Sequence, residues 1–214
     1  MADVRWKDKS QIALEATDRI PVTDVSDSNT DGYAEVGDIP ALGVGQETIW
    51  IPAGAMVSAT TNGAGSEQIE TTTNSVNVSV LDFDDSTDEY AHFQVQMPKS
   101  WDEGTLIAQF IWQTTATSGN CIWGIQAVAF ANSDALDTAF GTAVTVTDAA
   151  EATAGDVIIT AETSAMTVAG SPGAEEYVAF RLYRDANDGS DTMTGDARLM
   201  GVKIHYTADA TNDS

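Results

Sequence analysis

Apolar and polar residues alternate with a period of two along several stretches of this chain. In residues 89–97 (EYAHFQVQM), Phe93, Val95 and Met97 share one face and polar side chains share the other. This period is typical of a strand that is buried on one side only. The same alternation recurs in EYVAFRLYRD (176–185) and ARLMGVKIHY (197–206). By contrast, TLIAQFIWQ (105–113) and CIWGIQAVAF (121–130) are apolar on both faces, which predicts strands buried on both sides.

Weaker strands are predicted at TIWIPAGAM, SVNVSVLDF, GDVIIT and SAMTV. About eight or nine strands separated by turn-rich gaps favour an all-β protein, an antiparallel β-sandwich of the jelly-roll kind. One short helix is expected in SDALDTAFG, with Asp134 as its N-cap and Gly141 as its C-terminal stop. No stretch sustains a period of 3.6 residues, so an α/β enzyme core is not expected.

The first 45 residues differ from the remainder. They contain the short apolar groups IAL and IPV, the turn-forming stretch DVSDSNTDG, and two prolines, Pro21 and Pro40, which we expect to prevent continuous strand pairing. Such a segment is too poor in apolar surface to fold alone. We therefore predict an extended N-terminal arm over residues 1–45, a sandwich head over 46–208 and a disordered tail over 209–214.

The chain is strongly acidic, with 33 Asp and Glu against 9 Lys and Arg and a net charge of −24. Such a surface repels phosphate groups, so neither nucleic-acid binding nor adsorption to an anionic membrane is expected. The first ten residues lack the apolar core of a signal peptide, and no stretch is apolar enough to insert in a membrane, so we expect synthesis in a cytoplasm. The single cysteine, Cys121, lies in an apolar strand and is expected to be buried and unreactive.

Two acidic stretches contain candidate cation ligands. In DFDDSTDE, Asp82 and Asp84 are spaced like the first ligands of a calcium loop, but Thr87 and Phe93 stand where glycine and glutamate are needed. In DANDGSDTMTGD the candidates are Asp185, Asn187 and Asp191. No cofactor is expected, and calcium remains the alternative to solvated loops. Arg184 and Arg198 flank the second stretch and could hold its carboxylates without a metal.

Catalytic patterns are weak. The chain has two histidines, His92 and His205, each on the polar side of a strand, and no GxSxG, GxGxxG or phosphate-loop motif. Carboxylates are so abundant that no pair indicates glycoside hydrolysis. Among the tryptophans, Trp50, Trp112 and Trp123 are expected in the core, whereas Trp101, in PKSWDEG, is the candidate surface aromatic for contact with a glycan.

The strings DKSQIALEA, TDRIPVTD and DGYAEVGDI resemble the N-terminal attachment module of bacteriophage tail-fibre and virion-appendage proteins. The strings WIPAGAM, TDEYAHFQVQMPKSWDEGTLIAQFIW and YRDANDGSDTMTGDARLMGVKIHY resemble phage fibre- or spike-like structural proteins. The resemblance implies that apolar residues of the arm attach the protein to the virion or to neighbouring subunits. These residues are Trp6, Ile12, Leu14, Ile20, Val22, Tyr33, Val36 and Ile39.

The resemblance also implies a virion protein without enzymatic activity, made in a bacterial host. A homotrimer is expected, in which neighbours cover exposed strand edges. It would serve as a capsid decoration, a head fibre or a tail fibre, bound to capsid or tail proteins, for shell reinforcement or for adhesion to a host-surface glycan. The alternative is a carbohydrate-binding module, or a glycan-active enzyme with two carboxylates in a cleft beside an exposed tryptophan.

Overall fold

The computed structural model describes residues 45–209 and the backbone of residues 19–23 and 31–35. The chain divides into two compact units, Met1–Val44 and Gly45–Ser214. In the first unit, β1 (Arg19–Thr23) pairs antiparallel with β2 (Asp31–Glu35), and Pro21 lies opposite Tyr33. The expectation that Pro21 prevents pairing is therefore wrong. A two-stranded ribbon leaves every second amide of each strand unpaired, and proline is tolerated at such edge positions. Residues 210–214 of the expected tail lie outside the described residues.

The second unit contains eleven described strands and one 3-10 turn at Ala53–Ala55, the only helical element among residues 45–209. The strands are β3 (Gly45–Pro52), β4 (Val57–Ser58), β5 (Gly65–Glu70), β6 (Asn77–Phe83), β7 (Glu89–Gln96), β8 (Ile107–Gln113), β9 (Asn120–Phe130), β10 (Val144–Ala149), β11 (Val157–Ile159), β12 (Tyr177–Arg184) and β13 (Ala197–Ala208).

The strand order is that of a jelly roll. One sheet has the order β10-β9-β12-β7-β4, and the other has the order β11-β8-β13-β6-β5, with β3 also paired to β13. Four of the eight strands β6 to β13 lie side by side in each sheet. The order β7-β12-β9-β10 in one sheet faces the order β6-β13-β8-β11 in the other. Every strand pair is antiparallel. The predicted all-β sandwich is confirmed, with β4, β5 and β10 as strands that were not expected. The strand expected at SAMTV is wrong, because only Met166 pairs there, in an isolated bridge to Leu106.

The core lies between the two sheets and is aromatic. Trp123 of β9 stacks on Phe110 of β8 at 5.4 Å and meets Phe83 of β6 edge-on at 5.1 Å between ring centroids. Trp112 donates through Nε1 to Asp148 Oδ2 at 3.1 Å, so its indole is both buried and hydrogen-bonded. Cys121 is buried, as predicted, and burial raises the pKa of its thiol far above the ordinary value, which keeps it protonated.

The predicted helix in SDALDTAFG is wrong, because the segment between β9 and β10 forms turns. The Asp134 carboxylate accepts from the amide of Ala131 at 2.9 Å, which closes a turn backward and leaves no cap for a helix. The amide of Gly141 donates to the Ala127 carbonyl of β9 at 3.0 Å. Pairing of this segment with the sheet edge thus replaces the intrahelical hydrogen bonds.

Two tryptophan expectations are also wrong. Trp101 is only 1% exposed and belongs to the core cluster, because its backbone bridges Ala208 of β13 and its neighbour Asp102 donates to the Thr207 carbonyl. Trp50 is 46% exposed on the outer side of β3, with its ring lying over Gly201, where a Cβ would overlap the indole. Trp112 and Trp123 are buried in the core as expected.

A buried ion pair closes one end of the sandwich. Arg184 and Asp191 are 0% and 1% exposed and form a bidentate contact, Nη2–Oδ1 at 2.8 Å and Nε–Oδ2 at 3.0 Å. Arg184 also donates to three backbone carbonyls, and Asp191 accepts from the Ile122 amide at 3.0 Å. Burial lowers the pKa of Arg184, but the hydrogen bonds to Asp191 and the nearby negative charges, those of Asp191 and Asp85 among them, together outweigh burial and raise the pKa, so the guanidinium stays charged. Of the two predicted arginine clamps, Arg184 holds the loop.

Candidate functional site

The outer face of the five-stranded sheet carries side chains in regular cross-strand rows. Strand β12 is central, because it pairs with β7 on one side and with β9 on the other. One row joins Tyr90, Tyr183 and Gly124, and the next joins His92, Arg181 and Gln126. Since successive residues of a strand point to opposite sides, these rows share the face that is turned away from the core.

Arg181 lies at the centre of an aromatic cluster on this face. Its Cζ is 5.1 Å from the ring centroid of Tyr90 and 5.1 Å from that of Phe140, which reaches over the sheet from the segment between β9 and β10. The Tyr90 and Tyr183 rings are 5.5 Å apart, and Phe140 is 6.2 Å from His92. A guanidinium between two aromatic faces is stabilised by the ring quadrupoles and keeps a fixed orientation.

Buried residues of β9 hold the cluster in place. With its carboxamide oxygen turned toward Arg181, Gln126 accepts from Nη2 at 2.5 Å and from Nε at 2.7 Å. Gly124 lies directly beneath the Tyr183 ring, and a Cβ at this position would overlap the phenol. The absence of a side chain at Gly124 therefore allows Tyr183 to lie close to the sheet.

Two pKa shifts on this face have clear causes. Burial, and then the neighbouring Arg181, lower the pKa of His92 below its ordinary value of 6.5, so the imidazole is neutral at neutral pH. Burial, and then Asp185, raise the pKa of Tyr183, so its phenol keeps its proton. Arg181 is thus the charged side chain among the outward rows, surrounded by neutral donors and acceptors.

A second aromatic pair lies farther along β12. Tyr177 is 41% exposed, and its ring is 6.2 Å from that of Phe130 on β9. Between the two pairs, Ala179 lies beside Gln94, and both face outward. Tyr183 is six positions beyond Tyr177, which is about 20 Å of extended strand. The face is therefore a shallow track with aromatic rings at both ends, a small residue between them and amide groups along its side.

This arrangement is better suited to binding a polyhydroxylated chain than to catalysing a reaction. Aromatic rings stack against the apolar faces of sugars, and amide, guanidinium and phenol groups hydrogen-bond hydroxyls. Along the described strands of this sheet, no outward-facing position is Asp or Glu. A pair of catalytic carboxylates is thus missing from the part of this face that the structure describes.

The remaining candidate residues from the sequence do not lie on this face. Trp101, the predicted glycan contact, is in the core. Among the predicted attachment residues, Ile20, Val22 and Tyr33 lie in β1 and β2, whose side chains are outside the described set, and the others lie outside the described residues altogether. Trp6, Ile12, Leu14, Val36 and Ile39 are these others. All eight attachment assignments stay predictions.

The acidic candidates do not converge. Asp82 lies 3.6 Å from Arg198, and Asp84 accepts from the Ser86 amide at 2.7 Å. Arg198 thus pairs across strands rather than with the loop that follows β12. Asp185 and Asn187 follow β12, whereas Asp191 is bound to Arg184. Within residues 45–209, no three His, Cys, Asp or Glu side chains form a group that could hold a metal ion.

The histidine outside the cluster forms polar pairs. His205 Nδ1 is 2.8 Å from Thr48 Oγ1, and its Nε2 is 3.8 Å from a Glu162 carboxylate oxygen. A histidine paired across strands was one of the ordinary roles expected from its place on a polar face. None of the helices in the described part of the chain has the length and apolar character to cross a membrane.

Sequence alternation placed Tyr177, Arg181 and Tyr183 on one face, but it did not identify them as a site. The sequence signal is the spacing Tyr-x-x-x-Arg-x-Tyr on the polar side of a strand. The partners Tyr90 and Gln126 come from strands that are distant in sequence. Phe140 comes from a segment that was expected to be helical. Only the strand pairing brings these side chains together.

Comparisons with known proteins give a fold likeness and no family. No family model matches the chain, and no curated protein matches it. Among solved structures, a family 35 carbohydrate-binding module from Clostridium thermocellum is 13% identical over 74% of this chain and 97% of its own, with a TM-score of 0.40.

Two other solved structures show the range of these likenesses. The CBM22-1–GH10 modules of xylanase 10B from Clostridium thermocellum are 12% identical over 77% of this chain and 28% of their own, with a TM-score of 0.43. Tailspike protein 4 of bacteriophage CBA120 is 8% identical over 76% of this chain and 19% of its own, with a TM-score of 0.33. At these TM-scores the likenesses carry no functional argument. A function must be inferred from the side chains themselves.

Proposed function

We propose that the sandwich is a non-catalytic glycan-binding domain and that the outer face of its five-stranded sheet is the binding surface. One observation carries the proposal. Arg181 is fixed between the rings of Tyr90 and Phe140 and braced by Gln126, so an aromatic and hydrogen-bonding surface exists before any ligand arrives. A prearranged surface loses little conformational entropy when it binds.

The geometry favours a linear oligosaccharide that lies along β12. A sugar ring would stack near the Tyr90 and Tyr183 pair, and later residues of the chain would pass Gln94 toward Tyr177. The track is open on its outer side, so it can accept an internal segment of a polysaccharide as well as an end. Neutral glycans fit best, because a chain of net charge −24 repels polyanions at long range.

We further propose that the domain is displayed on a bacteriophage particle, where glycan binding serves adhesion to the host surface. The resemblance of residues 6–42 to phage attachment modules supports this setting, and the division of the chain into the compact units Met1–Val44 and Gly45–Ser214 is consistent with it. The proposed partners are further copies of the chain, in a homotrimer, and a capsid or tail protein bound by the arm. A head fibre, a decoration protein or a tail fibre would each fit.

A glycan array probed with the full chain tests the binding proposal. We expect a set of related neutral oligosaccharides to bind, and Tyr183→Ala to reduce affinity for the best of them by about tenfold or more. Leu136→Ala is the matched control, because Leu136 is 79% exposed in the segment between β9 and β10 and is not part of the cluster. Binding that is unchanged in Tyr183→Ala would exclude this face.

Particle incorporation tests the virion setting separately. The double substitution Ile12→Ser and Leu14→Ser in the full chain should leave glycan binding intact and should abolish incorporation into virions, because it removes apolar side chains of the arm. Incorporation at the wild-type level would contradict the proposed role of the arm and would leave the glycan result unaffected.

A further inference from the structure

The outer face of the six-stranded sheet is apolar where a solvent-facing sheet is usually polar. Trp50 of β3 is 46% exposed, Val157 and Ile159 of β11 are 58% and 53% exposed, and Val76, just before β6, is 55% exposed. Isolated apolar side chains are common on protein surfaces, whereas a contiguous group indicates a contact surface.

These residues are contiguous. A groove of about 450 Å³ is lined by Trp50, Val78, Ile111 and Met200 together with Pro52, Gly54 and Ser79. A smaller groove of about 110 Å³ shares Val78 and Met200 with it and continues to Ile69, Val76 and Val157, beside Thr71, Gln113 and Gly155. We name this surface the apolar band. It consists of Trp50, Ile69, Val76, Val78, Ile111, Val157, Ile159 and Met200.

The band crosses the sheet from one edge to the other. Trp50 comes from β3 and Val76 precedes β6. The other six residues come from β5, β6, β13, β8 and β11, which are consecutive neighbours, so the band is about 19 Å wide at the usual spacing of strands. A register shift between Leu199 and Gly201 of β13 lies at its centre. There Met200 and Gly201 both line the outer face, and the Trp50 ring lies over the glycine.

We infer that the apolar band is the contact surface between copies of this chain. The strand positions that face outward on this sheet include two acidic residues, Glu67 and Asp82, and two basic residues, Arg198 and Lys203. Their net charge is zero, whereas the chain carries −24. Two copies can therefore meet through this face without the like-charge repulsion that the net charge of the chain would cause elsewhere, and a strongly charged partner gains nothing from it.

The polar groups beside the band match the rim of a protein interface. Arg198 lies 3.6 Å from Asp82 on one side, and Lys203 Nζ donates to Gln109 Oε1 at 2.9 Å on the other. An apolar centre with partnered polar groups around it is the usual anatomy of a subunit contact. Sheets also pack face to face, so the flat band of one copy can accept the band of another.

The chemistry of the band argues against the other occupants. Its eight side chains hold one strong hydrogen-bonding group, the indole of Trp50, and the two grooves add the polar side chains of Ser79, Thr71 and Gln113. A glycan would therefore leave most of its hydroxyls unpaired there. An added peptide strand needs a free sheet edge, whereas the band lies on a face. The inference rests on the homo-oligomer proposed above and is independent of glycan binding by the opposite sheet.

Light scattering coupled to gel filtration tests the inference on the full chain. The wild-type chain should elute as an oligomer, and Ile159→Lys should raise its dissociation constant by about tenfold or more, because it places a charge in the band. Leu136→Lys is the matched control and should leave the mass unchanged, since Leu136 is 79% exposed in the segment between β9 and β10 and does not line either groove of the band. Thermal melting of both variants would show that each is folded, and Val157→Lys supplies a second band variant.

Two results would overturn the inference. A wild-type protein that stays monomeric at all concentrations would contradict both the proposed oligomer and the proposed contact surface. An oligomer whose mass is unchanged in both Ile159→Lys and Val157→Lys would keep the oligomer but place its contact elsewhere. Glycan binding by the monomeric variants would show that the two faces act separately. Glycan affinity and oligomer mass are measured independently, so the failure of one proposal would not alter the test of the other.

Discussion

Arg184 and Asp191 form a fully buried bidentate ion pair that joins the end of β12 to the loop before β13. The guanidinium also binds the carbonyls of Phe83, Met193 and Gly195, so it links β6 to that loop. A buried charge is tolerated only when its partners satisfy it. This pair therefore fixes the long acidic segment that follows the binding strand.

Breaking the pair should strongly destabilise the sandwich. Asp191→Asn leaves the Arg184 guanidinium buried without a counter-charge, and we expect the free energy of unfolding to fall by about 3–5 kcal/mol. Glu175→Gln is the control, because the Lys99–Glu175 pair is 3.9 Å long and exposed and should contribute less than about 1 kcal/mol. Denaturant titration measures both. Similar losses in the two variants would show that Arg184 does not depend on Asp191.

Replacing Arg181 by lysine should weaken glycan binding without unfolding the protein. A lysine ammonium cannot stack flat between the Tyr90 and Phe140 rings, and it lacks the planar Nε and Nη2 donors that both bind the Gln126 oxygen. We expect an affinity loss of about tenfold with a stability change of less than about 2 kcal/mol. Calorimetric titration with the best array oligosaccharide gives the affinity. Wild-type affinity in Arg181→Lys would mean that a positive charge at this position is enough for glycan binding and that the planar guanidinium is not needed.

Adding a methyl group beneath Tyr183 tests the geometry of the face. In Gly124→Ala the new Cβ overlaps the phenol ring, which must tilt away from the sheet. The cost in stability should stay within about 1–3 kcal/mol, because a side-chain ring moves and the backbone does not. Glycan affinity should fall markedly. In Gly189→Ala the new Cβ meets nothing within 4 Å, so this control should keep wild-type affinity.

Acidification should weaken the fold through His92. Its pKa in the folded chain lies below the ordinary 6.5 because of burial and then Arg181. The unfolded chain therefore binds a proton at His92 more readily than the folded chain does. The neutral form of His92 thus favours the folded chain: its contribution to stability is present above pH 6.5 and is lost as the pH falls toward the folded-state pKa. His92→Gln removes this dependence. Denaturant titrations from about pH 7.5 to about pH 5.5 should show a steeper loss in the wild type than in the variant.

Local patterns predicted the strands, and long-range pairing determined the site. Alternation identified β7, β12 and β13, and the two-sided apolar runs identified β8 and β9, because burial of one or both faces is visible in a short window. The same window misplaced Trp101. Its neighbours in PKSWDEG are polar, but its bridge to Ala208 turns the ring into the core. The helix expected at Asp134 failed since its carboxylate closes a turn backward.

Amide chemical-shift mapping of the deuterated full chain, titrated with its best oligosaccharide, locates the glycan site most directly. The shifts should concentrate in β7 and β12, around Tyr90, Arg181 and Tyr183, and should extend toward Tyr177 as the oligosaccharide lengthens. Shifts that concentrate instead around Trp50 and Met200 on the opposite sheet would contradict the proposed binding face.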